Sequence, residues 1–117
     1  MITNLPIPLI DQVRAQNAVV LTVANNVTAG KVADALSACG ASPIMSQAPE
    51  EAAAMVNLAH AITINLGTIN QSQLTLIRMI LDANAGQRPV VLDPVAVGSS
   101  DYRLTIAKQL LADYYFT

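Results

Sequence analysis

Four short apolar runs of this 117-residue chain each end in a cluster of polar, Gly or Pro residues. These clusters are Ala24-Asn25-Asn26-Val27, Met45-Ser46-Gln47, Gly67-Thr68 and Asp93-Pro94-Val95-Ala96-Val97-Gly98. Helical patterns alternate with the runs, and in an open parallel sheet ligands bind outside the carboxyl ends of the strands. The clusters therefore lie where such a fold would hold a small molecule.

The amide and glycine positions fit both a binding site and a plain turn. Asn25 and Asn26 follow the first run, and their amides can bond a polar ligand beside the free N–H groups of a helix N-terminus. Asn also forms turns by bonding its own neighbours. Gly67, ahead of Thr68, allows backbone to approach a ligand closely, and it equally suits a strand-to-helix turn.

Met45 and Asp93 are the other two candidates with distinctive chemistry. The polarizable thioether of Met45 suits a flat, aromatic or sulfur-containing ligand, although a buried Met is commonly plain core. The carboxylate of Asp93 can hold Mg²⁺ through water or orient a substrate hydroxyl. The Asp-Pro pair also fits a turn.

Two residues that often carry chemistry are interpreted as structural. Cys39 falls on a predicted buried helical stripe before Gly40, which favours a small core residue over a nucleophile. His60 lies at a predicted helix-strand junction. The sequence has neither a phosphate-binding P-loop motif nor zinc-ligand spacing. From the residues alone, the chain is an α/β small-molecule binding domain of undecided chemistry.

The elements that would position these clusters alternate between strand and helix. The runs predict strands over 18–23, 43–45, 61–66 and 89–92, with the start of a fifth strand at 114–117. This alternation predicts a parallel sheet covered by helices.

Five helices follow from apolar spacing and end signals. A short first helix after Pro8 is indicated by Leu9, Ile10 and Val13. The second helix has Thr28 as N-cap and an inward stripe of Val32, Ala35, Leu36 and Cys39. The third opens at Pro49 and buries Ala52, Met55, Val56 and Ala59. The fourth has Leu74, Ile77, Ile80 and Leu81 and stops near Gly86. The last is capped by Asp101 and turns Leu104, Ala107 and Leu111 inward.

Composition restricts the function class. Charged residues are 12% and aromatic residues 3% of the chain, and the net charge is −2, which argues against nucleic acid binding. No apolar run approaches the ~18 residues of a membrane span. Residues 1–6 have no basic segment before an apolar stretch, so no secretory signal is predicted. The single Cys fits a reducing, cytoplasmic compartment.

Taken together, four segments make the chain resemble the hydroxyethylthiazole kinase family. They are Gly40-Ala41-Ser42-Pro43-Ile44-Met45, Ala48-Pro49-Glu50-Glu51, Leu66-Gly67-Thr68 and Pro89-Val90-Val91-Leu92-Asp93-Pro94-Val95 with Gly98. Their order and intervals agree with the family pattern from about Leu9 to the last helix. Each segment is weak by itself, and the combination is specific.

The resemblance implies a ribokinase-like α/β fold, a three-layer sandwich with a mostly parallel sheet, of which residues 1–117 form the N-terminal portion of a single, here truncated, kinase domain. It implies transfer of the γ-phosphoryl of ATP to methyl-hydroxyethyl-thiazole in thiamine biosynthesis, with Mg²⁺. It further implies a cytoplasmic homotrimer with the thiazole site at a subunit interface. The positions that match the thiazole pocket are Asn25, Val27, Met45, Gly67 and Thr68, and Asp93 matches an acidic position near the metal.

The chain also departs from the family pattern. Leu21 and Ala24 stand where the family usually has His and Thr, and Ala96 stands where Asp-Pro-Val is usually followed by Gly. The family's phosphate-binding Arg, Gly-rich anion hole and catalytic Cys have no counterpart here, so no catalytic residue is assigned. The chain by itself is therefore expected to be inactive and, with an uncovered sheet edge, to oligomerise. The alternatives are a non-catalytic thiazole-binding module, a degenerate fragment and a different small-molecule kinase of the same fold.

Overall fold

Within residues 7–117, a four-stranded parallel sheet organises the fold. The computed structural model describes residues 7–117, so the predicted absence of a secretory signal concerns a segment outside the described residues. The strands are β1 (Val19–Val23), β2 (Ser42–Ile44), β3 (Ala61–Asn65) and β4 (Val90–Asp93). All three pairings are parallel, which confirms the predicted sheet.

Within the described part of the chain, five α-helices alternate with these strands. They are α1 (Ile7–Gln16), α2 (Ala29–Ala38), α3 (Ala52–Leu58), α4 (Gln71–Asn84) and α5 (Asp101–Asp113). A 3₁₀ turn, Pro49–Glu51, leads into α3, with Pro49 at its start as predicted. None of the helices in residues 7–117 is long and apolar enough to cross a bilayer.

The main core lies on one face of the sheet. Leu21 and Val23 of β1 and Ile62 and Ile64 of β3 pack there against α3, α4 and α5. The predicted inward stripes of α3 and α4 are confirmed, because their apolar residues are buried in or packed against this core. Alternate strand residues reach this core because successive side chains of a strand point to opposite faces.

The opposite face is covered less completely. Thr22 and Thr63 lie side by side there, and the Thr63 hydroxyl donates to the Thr22 hydroxyl at 3.0 Å. Val32 of α2 lines a cavity on this face together with Thr22 and Thr63, which places α2 on this side. Val91 on this face is 53% exposed, so the layers of the sandwich bury very different amounts of apolar surface.

Two predicted helix faces are wrong. In α5, Leu104 and Leu111 are exposed, and Ile106, Ala107 and Leu110 are the buried residues. The predicted set and the buried set both fit helical spacing, and both contain Ala107. The packing of α5 against the core selects the buried set.

In α2, Ala35 and Cys39 are exposed, contrary to the predicted buried stripe, and α2 has no fully buried residue. Its contacts with the sheet are concentrated on β2, and β2 is the outer strand of the order β2-β1-β3-β4.

The helix ends lie close to their predicted positions, but the predicted capping side chains do not make the capping hydrogen bonds. Thr28 stands at the N-cap of α2, but its side chain makes no capping bond. Ser100, not Asp101, caps α5, since its hydroxyl accepts the N–H of Arg103. Gly40 follows α2 with φ +88, as expected for a residue that ends a helix.

The end of the described chain runs beside β4 without forming the predicted fifth strand. The N–H of Thr117 donates to the carbonyl of Val90 at 2.8 Å, and the Thr117 hydroxyl accepts the Val90 N–H. Residues 114–117 are otherwise irregular.

His60 has the structural role that was predicted. Its Nδ1 accepts the N–H of Val19 at 2.9 Å, and its own N–H donates to the Val19 carbonyl.

A cluster of polar side chains joins α4 to α5. Arg78 forms an ion pair with Asp113 at 3.0 Å and lies over the ring of Tyr114. The hydrogen bond with Asp113 raises the pKa of Arg78 above its ordinary value. Burial raises the pKa of Tyr114, and its hydrogen bond to Asp82 adds to that increase.

Candidate functional site

Three strands carry side chains that meet at the carboxyl edge of the sheet. The Nδ2 of Asn25, after β1, donates to the Oδ1 of Asn65 at 2.9 Å, and Asn65 ends β3. The Nδ2 of Asn65 donates in turn to the Oδ2 of Asp93 at 3.3 Å, and Asp93 ends β4. Parallel strands bring their carboxyl ends to one edge, so residues far apart in sequence form one polar chain.

Asn25 also forms the turn that begins α2. Its Oδ1 accepts the N–H groups of Val27 at 2.9 Å and Thr28 at 3.0 Å. This is the local bonding that makes Asn a turn residue, so the turn interpretation is confirmed. Asn25 is buried at 7% exposure, and its Oδ1 satisfies two backbone N–H groups directly ahead of α2.

Gly67 is required here by close packing. A Cβ atom at this position would lie 2.8 Å from the Nδ2 of Asn25 and 2.9 Å from the Oδ1 of Asn65. The Gly67 N–H donates to that same Oδ1 at 2.8 Å. A side chain would therefore displace the hydrogen bond between the two amides.

Thr68 connects the turn after β3 to the turn after β1. Its hydroxyl oxygen accepts the N–H of Asn26 at 3.0 Å. Its backbone has φ +47, a left-handed conformation that is unfavourable for a β-branched residue. Such strain persists where the surrounding structure imposes it, and it is frequent at ligand sites.

Four of the six predicted site residues line one cavity of about 300 Å³. They are Asn25, Val27, Gly67 and Thr68. Thr28, Val95 and Arg103 complete the wall. The lining is mostly apolar with a few polar groups, which is typical of a site for a small organic molecule.

Met45 and Asp93 lie outside that cavity. Met45 lines a smaller space of about 50 Å³ together with Ala24 and Asn26. Asp93 lines a cavity of about 260 Å³ on the sheet face with Asn65 and Ala24. Ala24 belongs to both of these spaces, so they adjoin at the end of β1.

Asp93 offers one ligand to a metal ion. Within residues 7–117, no three His, Cys, Asp or Glu side chains cluster as a metal site. Mg²⁺ commonly takes one or two carboxylates and completes its shell with waters and substrate phosphates. An exposed carboxylate at the strand end fits that mode of binding and does not fit a site built from protein ligands alone.

The structure shows where the three residues that depart from the family pattern lie. Leu21 lies in the main core and lines none of these cavities, and Ala24 borders the two smaller spaces. Ala96 has φ +54, a conformation that Gly adopts without strain.

Two residues of the site were missed from the sequence. Asn65 joins Asn25 to Asp93, and its signal was a polar residue at the end of an otherwise apolar strand. Arg103 donates from Nη1 to the carbonyls of Leu66 at 2.7 Å and Val95 at 3.1 Å. Its place in the first turn of α5, soon after Asp-Pro-Val, was the available signal.

The fold and this edge define a parallel α/β domain with a cavity at the carboxyl ends of its strands. Residues 10–117 match the model of the hydroxyethylthiazole kinase family. The chain therefore belongs to the hydroxyethylthiazole kinase family.

Known relatives agree in sequence and in structure. A hydroxyethylthiazole kinase of Limosilactobacillus reuteri is 58% identical over 108 residues, covering 92% of this chain and 40% of the relative. One of Limosilactobacillus fermentum is 51% identical over 106 residues, covering 90% and 42%. The structure of a Pyrococcus horikoshii hydroxyethylthiazole kinase superposes with a TM-score of 0.86 at 34% identity, covering 91% and 42%. The chain thus spans about two fifths of the length of the relatives it matches.

Proposed function

We propose that these 117 residues carry the thiazole-binding part of a hydroxyethylthiazole kinase, which transfers the γ-phosphoryl of ATP to the hydroxyethyl group of methyl-hydroxyethyl-thiazole. The observation that carries this proposal is the cavity that gathers Asn25, Val27, Gly67 and Thr68 in a member of this family. Its volume of about 300 Å³ suits a small heterocycle.

The cavity provides apolar walls and a few oriented polar atoms. Val27 and Val95 supply the walls, and the absence of a side chain at Gly67 leaves room for the amides of Asn25 and Asn65. The Thr68 oxygen accepts the Asn26 N–H, which leaves its hydroxyl hydrogen to donate to a ligand oxygen or ring nitrogen. We assign Met45 to the outer border of this site, where its half-exposed thioether can cover a sulfur-containing ring.

Phosphoryl transfer needs positioning and charge neutralisation more than covalent chemistry from the protein. We assign Asp93 to Mg²⁺, which would neutralise phosphate charge when bound beside it. Arg103 is the cation that lines the cavity, and its Nη1 is already engaged by two carbonyls. The proposal is therefore that these residues bind the thiazole and do not by themselves turn it over.

Assembly and location belong to the same proposal. Val27 is 80% exposed at the rim of the cavity, and Met45 is exposed beside β2. Exposed apolar side chains at a site fit burial by a neighbouring subunit, as in a homotrimer with shared sites. ATP and a single free Cys fit a cytoplasmic protein.

Calorimetric titration of the purified chain with methyl-hydroxyethyl-thiazole tests the proposal. Wild type is expected to bind, and Gly67→Ala to bind about tenfold more weakly because its methyl enters the space of the two amides. Gly98→Ala is the matched control, since its Cβ meets nothing within 4 Å. A coupled assay with ATP and Mg²⁺ is expected to show no turnover.

Two results would contradict the proposal. Failure of the folded wild type to bind the thiazole would remove the assigned site. Equal loss of binding in Gly67→Ala and Gly98→Ala would separate the binding from the cavity described here.

A further inference from the structure

The amide of Asn65 is held on both of its sides. Its Oδ1 accepts from the Nδ2 of Asn25 and from the N–H of Gly67, at 2.9 and 2.8 Å. Its Nδ2 faces the carboxylate of Asp93. The reverse orientation would turn an N–H toward two donors and an oxygen toward a carboxylate, so this orientation is the one that the neighbours select.

The connection continues into the loop that borders the cavity. The Nδ2 of Asn25 is directed to Asn65, which leaves the Oδ1 of Asn25 for the N–H groups of Val27 and Thr28. Val27 and Thr28 line the same cavity as Asn25 itself. The position of this loop therefore depends on how the Asn25 amide is held.

Packing leaves little room for another arrangement. Gly67 lies so close that a Cβ would approach Asn25 and Asn65 to less than 3.0 Å. Asn25 is buried, and the Gly67 N–H donates to the same atom as the Nδ2 of Asn25, the Oδ1 of Asn65. Buried, mutually satisfied polar networks hold one geometry because an unpaired member would be costly.

We propose that Asn65 is a positioning residue whose amide couples the Asp93 side chain to the Asn25 loop, and so ties the Asp93 end of the site to the thiazole cavity. The inference rests on the proposed function for the identity of the ligand. The relay itself rests on the hydrogen bonds among the three side chains.

Exchanging the two side chains tests the relay. Asn65→Asp keeps an acceptor for Asn25 and Gly67, but it sets two carboxylates against each other where Nδ2 now lies 3.3 Å from Asp93. The double variant Asn65→Asp with Asp93→Asn restores one donor and one carboxylate in swapped positions, at unchanged net charge.

Two readouts are measured on each variant. The first is amide hydrogen exchange at Val27 and Thr28 without any ligand, and the second is the affinity for methyl-hydroxyethyl-thiazole. Asn65→Asp is expected to speed exchange and weaken binding by about tenfold each, and adding Asp93→Asn to recover most of both losses. Asp93→Asn in the wild-type background is expected to improve neither readout.

A charge control and a folding check accompany the series. Asn57→Asp adds the same charge at an exposed position on α3 and is expected to leave exchange and binding unchanged. Circular dichroism confirms that each variant is folded at the temperature of measurement.

The outcomes separate the relay from the proposed function. If the double variant recovers the slow amide exchange of wild type but wild type does not bind the thiazole, the relay is supported. The thiazole is then not the ligand, and the proposed function is overturned. Thiazole binding by wild type, with no recovery of either readout in the double variant, overturns the relay and leaves the proposed function standing.

Discussion

Arg103 of α5 donates from Nη1 to the carbonyl oxygen of Leu66 at 2.7 Å, directly after the end of β3. The same nitrogen donates to the carbonyl of Val95, in the turn after β4. One guanidinium therefore connects, by hydrogen bonds, two of the turns that form the candidate site. Both carbonyls lie in irregular segments that have no strand partner for these oxygens.

Removal of this guanidinium should destabilise the fold. Arg103→Ala is expected to lower the free energy of unfolding by about 2 kcal/mol, because hydrogen bonds from charged donors contribute ~1.5–3 kcal/mol. Urea unfolding followed by circular dichroism measures the change. Lys108→Ala, at an exposed position of the same helix, is the control and should stay within about 0.5 kcal/mol of wild type. Equal effects of the two substitutions would contradict the assigned role.

The hydroxyl of Thr68 should account for a separate part of the stability. Thr68→Val keeps the β-branched shape and leaves the Asn26 N–H without its acceptor, so unfolding should become easier by about 1 kcal/mol. Thr68→Ser keeps the hydroxyl and should match wild type in the same urea titration. A Val variant as stable as the Ser variant would show that the bond to Asn26 contributes nothing.

Ala96 should be improved by replacement with glycine. Its φ of +54 lies in the left-handed region, where a Cβ costs roughly 1–2 kcal/mol. Ala96→Gly is therefore expected to raise the free energy of unfolding by about 1 kcal/mol. Ala83→Gly, at an exposed position inside α4, should instead lower it by about 1 kcal/mol. Thermal melts of the two variants should shift in opposite directions, and shifts of the same sign would argue against strain at Ala96.

Tyr114 should make stability decrease in alkaline solution. Its pKa is raised in the folded protein, first by burial and then by its bond to Asp82, so the native state keeps the phenol proton longer than the unfolded chain. The contribution is complete below the ordinary pKa of 10.0 and is lost as the pH rises through the higher folded value. Urea unfolding at several pH values should show a steeper alkaline loss in wild type than in Tyr114→Phe.

Tyr115→Phe is the matched control for that measurement. Tyr115 is 81% exposed, and its substitution should leave the alkaline slope of wild type unchanged. If Tyr114→Phe and Tyr115→Phe gave the same slope, the raised pKa of Tyr114 would not be the cause of the alkaline loss.

Local patterns predicted the parts of the fold that local physics controls. Apolar runs ending in polar clusters located all four strands to within a few residues, and the stripe of α4 was placed correctly. The stripe of α5 was wrong because spacing constrains only the set of possible faces, and the neighbouring elements select among them. The exposure of Cys39 was missed for a related reason, since periodicity does not reveal whether a layer covers a helix.

The candidate site was likewise predicted only in part. Asn25, Val27, Gly67 and Thr68 were predicted and line one cavity, because each directly follows a strand that ends at the same edge. The assignments of Met45 to the thiazole and of Asp93 to Mg²⁺ are still predictions, and the two residues line two neighbouring cavities.

The sequence by itself determined the β-α alternation, the positions of the strand ends and the family, because short-range residue patterns specify each of these. Only the tertiary structure decided that the amide of Asn65 joins Asn25 to Asp93, and that Arg103 fastens the turns after β3 and β4. These contacts link residues 8 to 40 positions apart. They arise because parallel pairing sets the register of separate strands side by side, which no local pattern specifies.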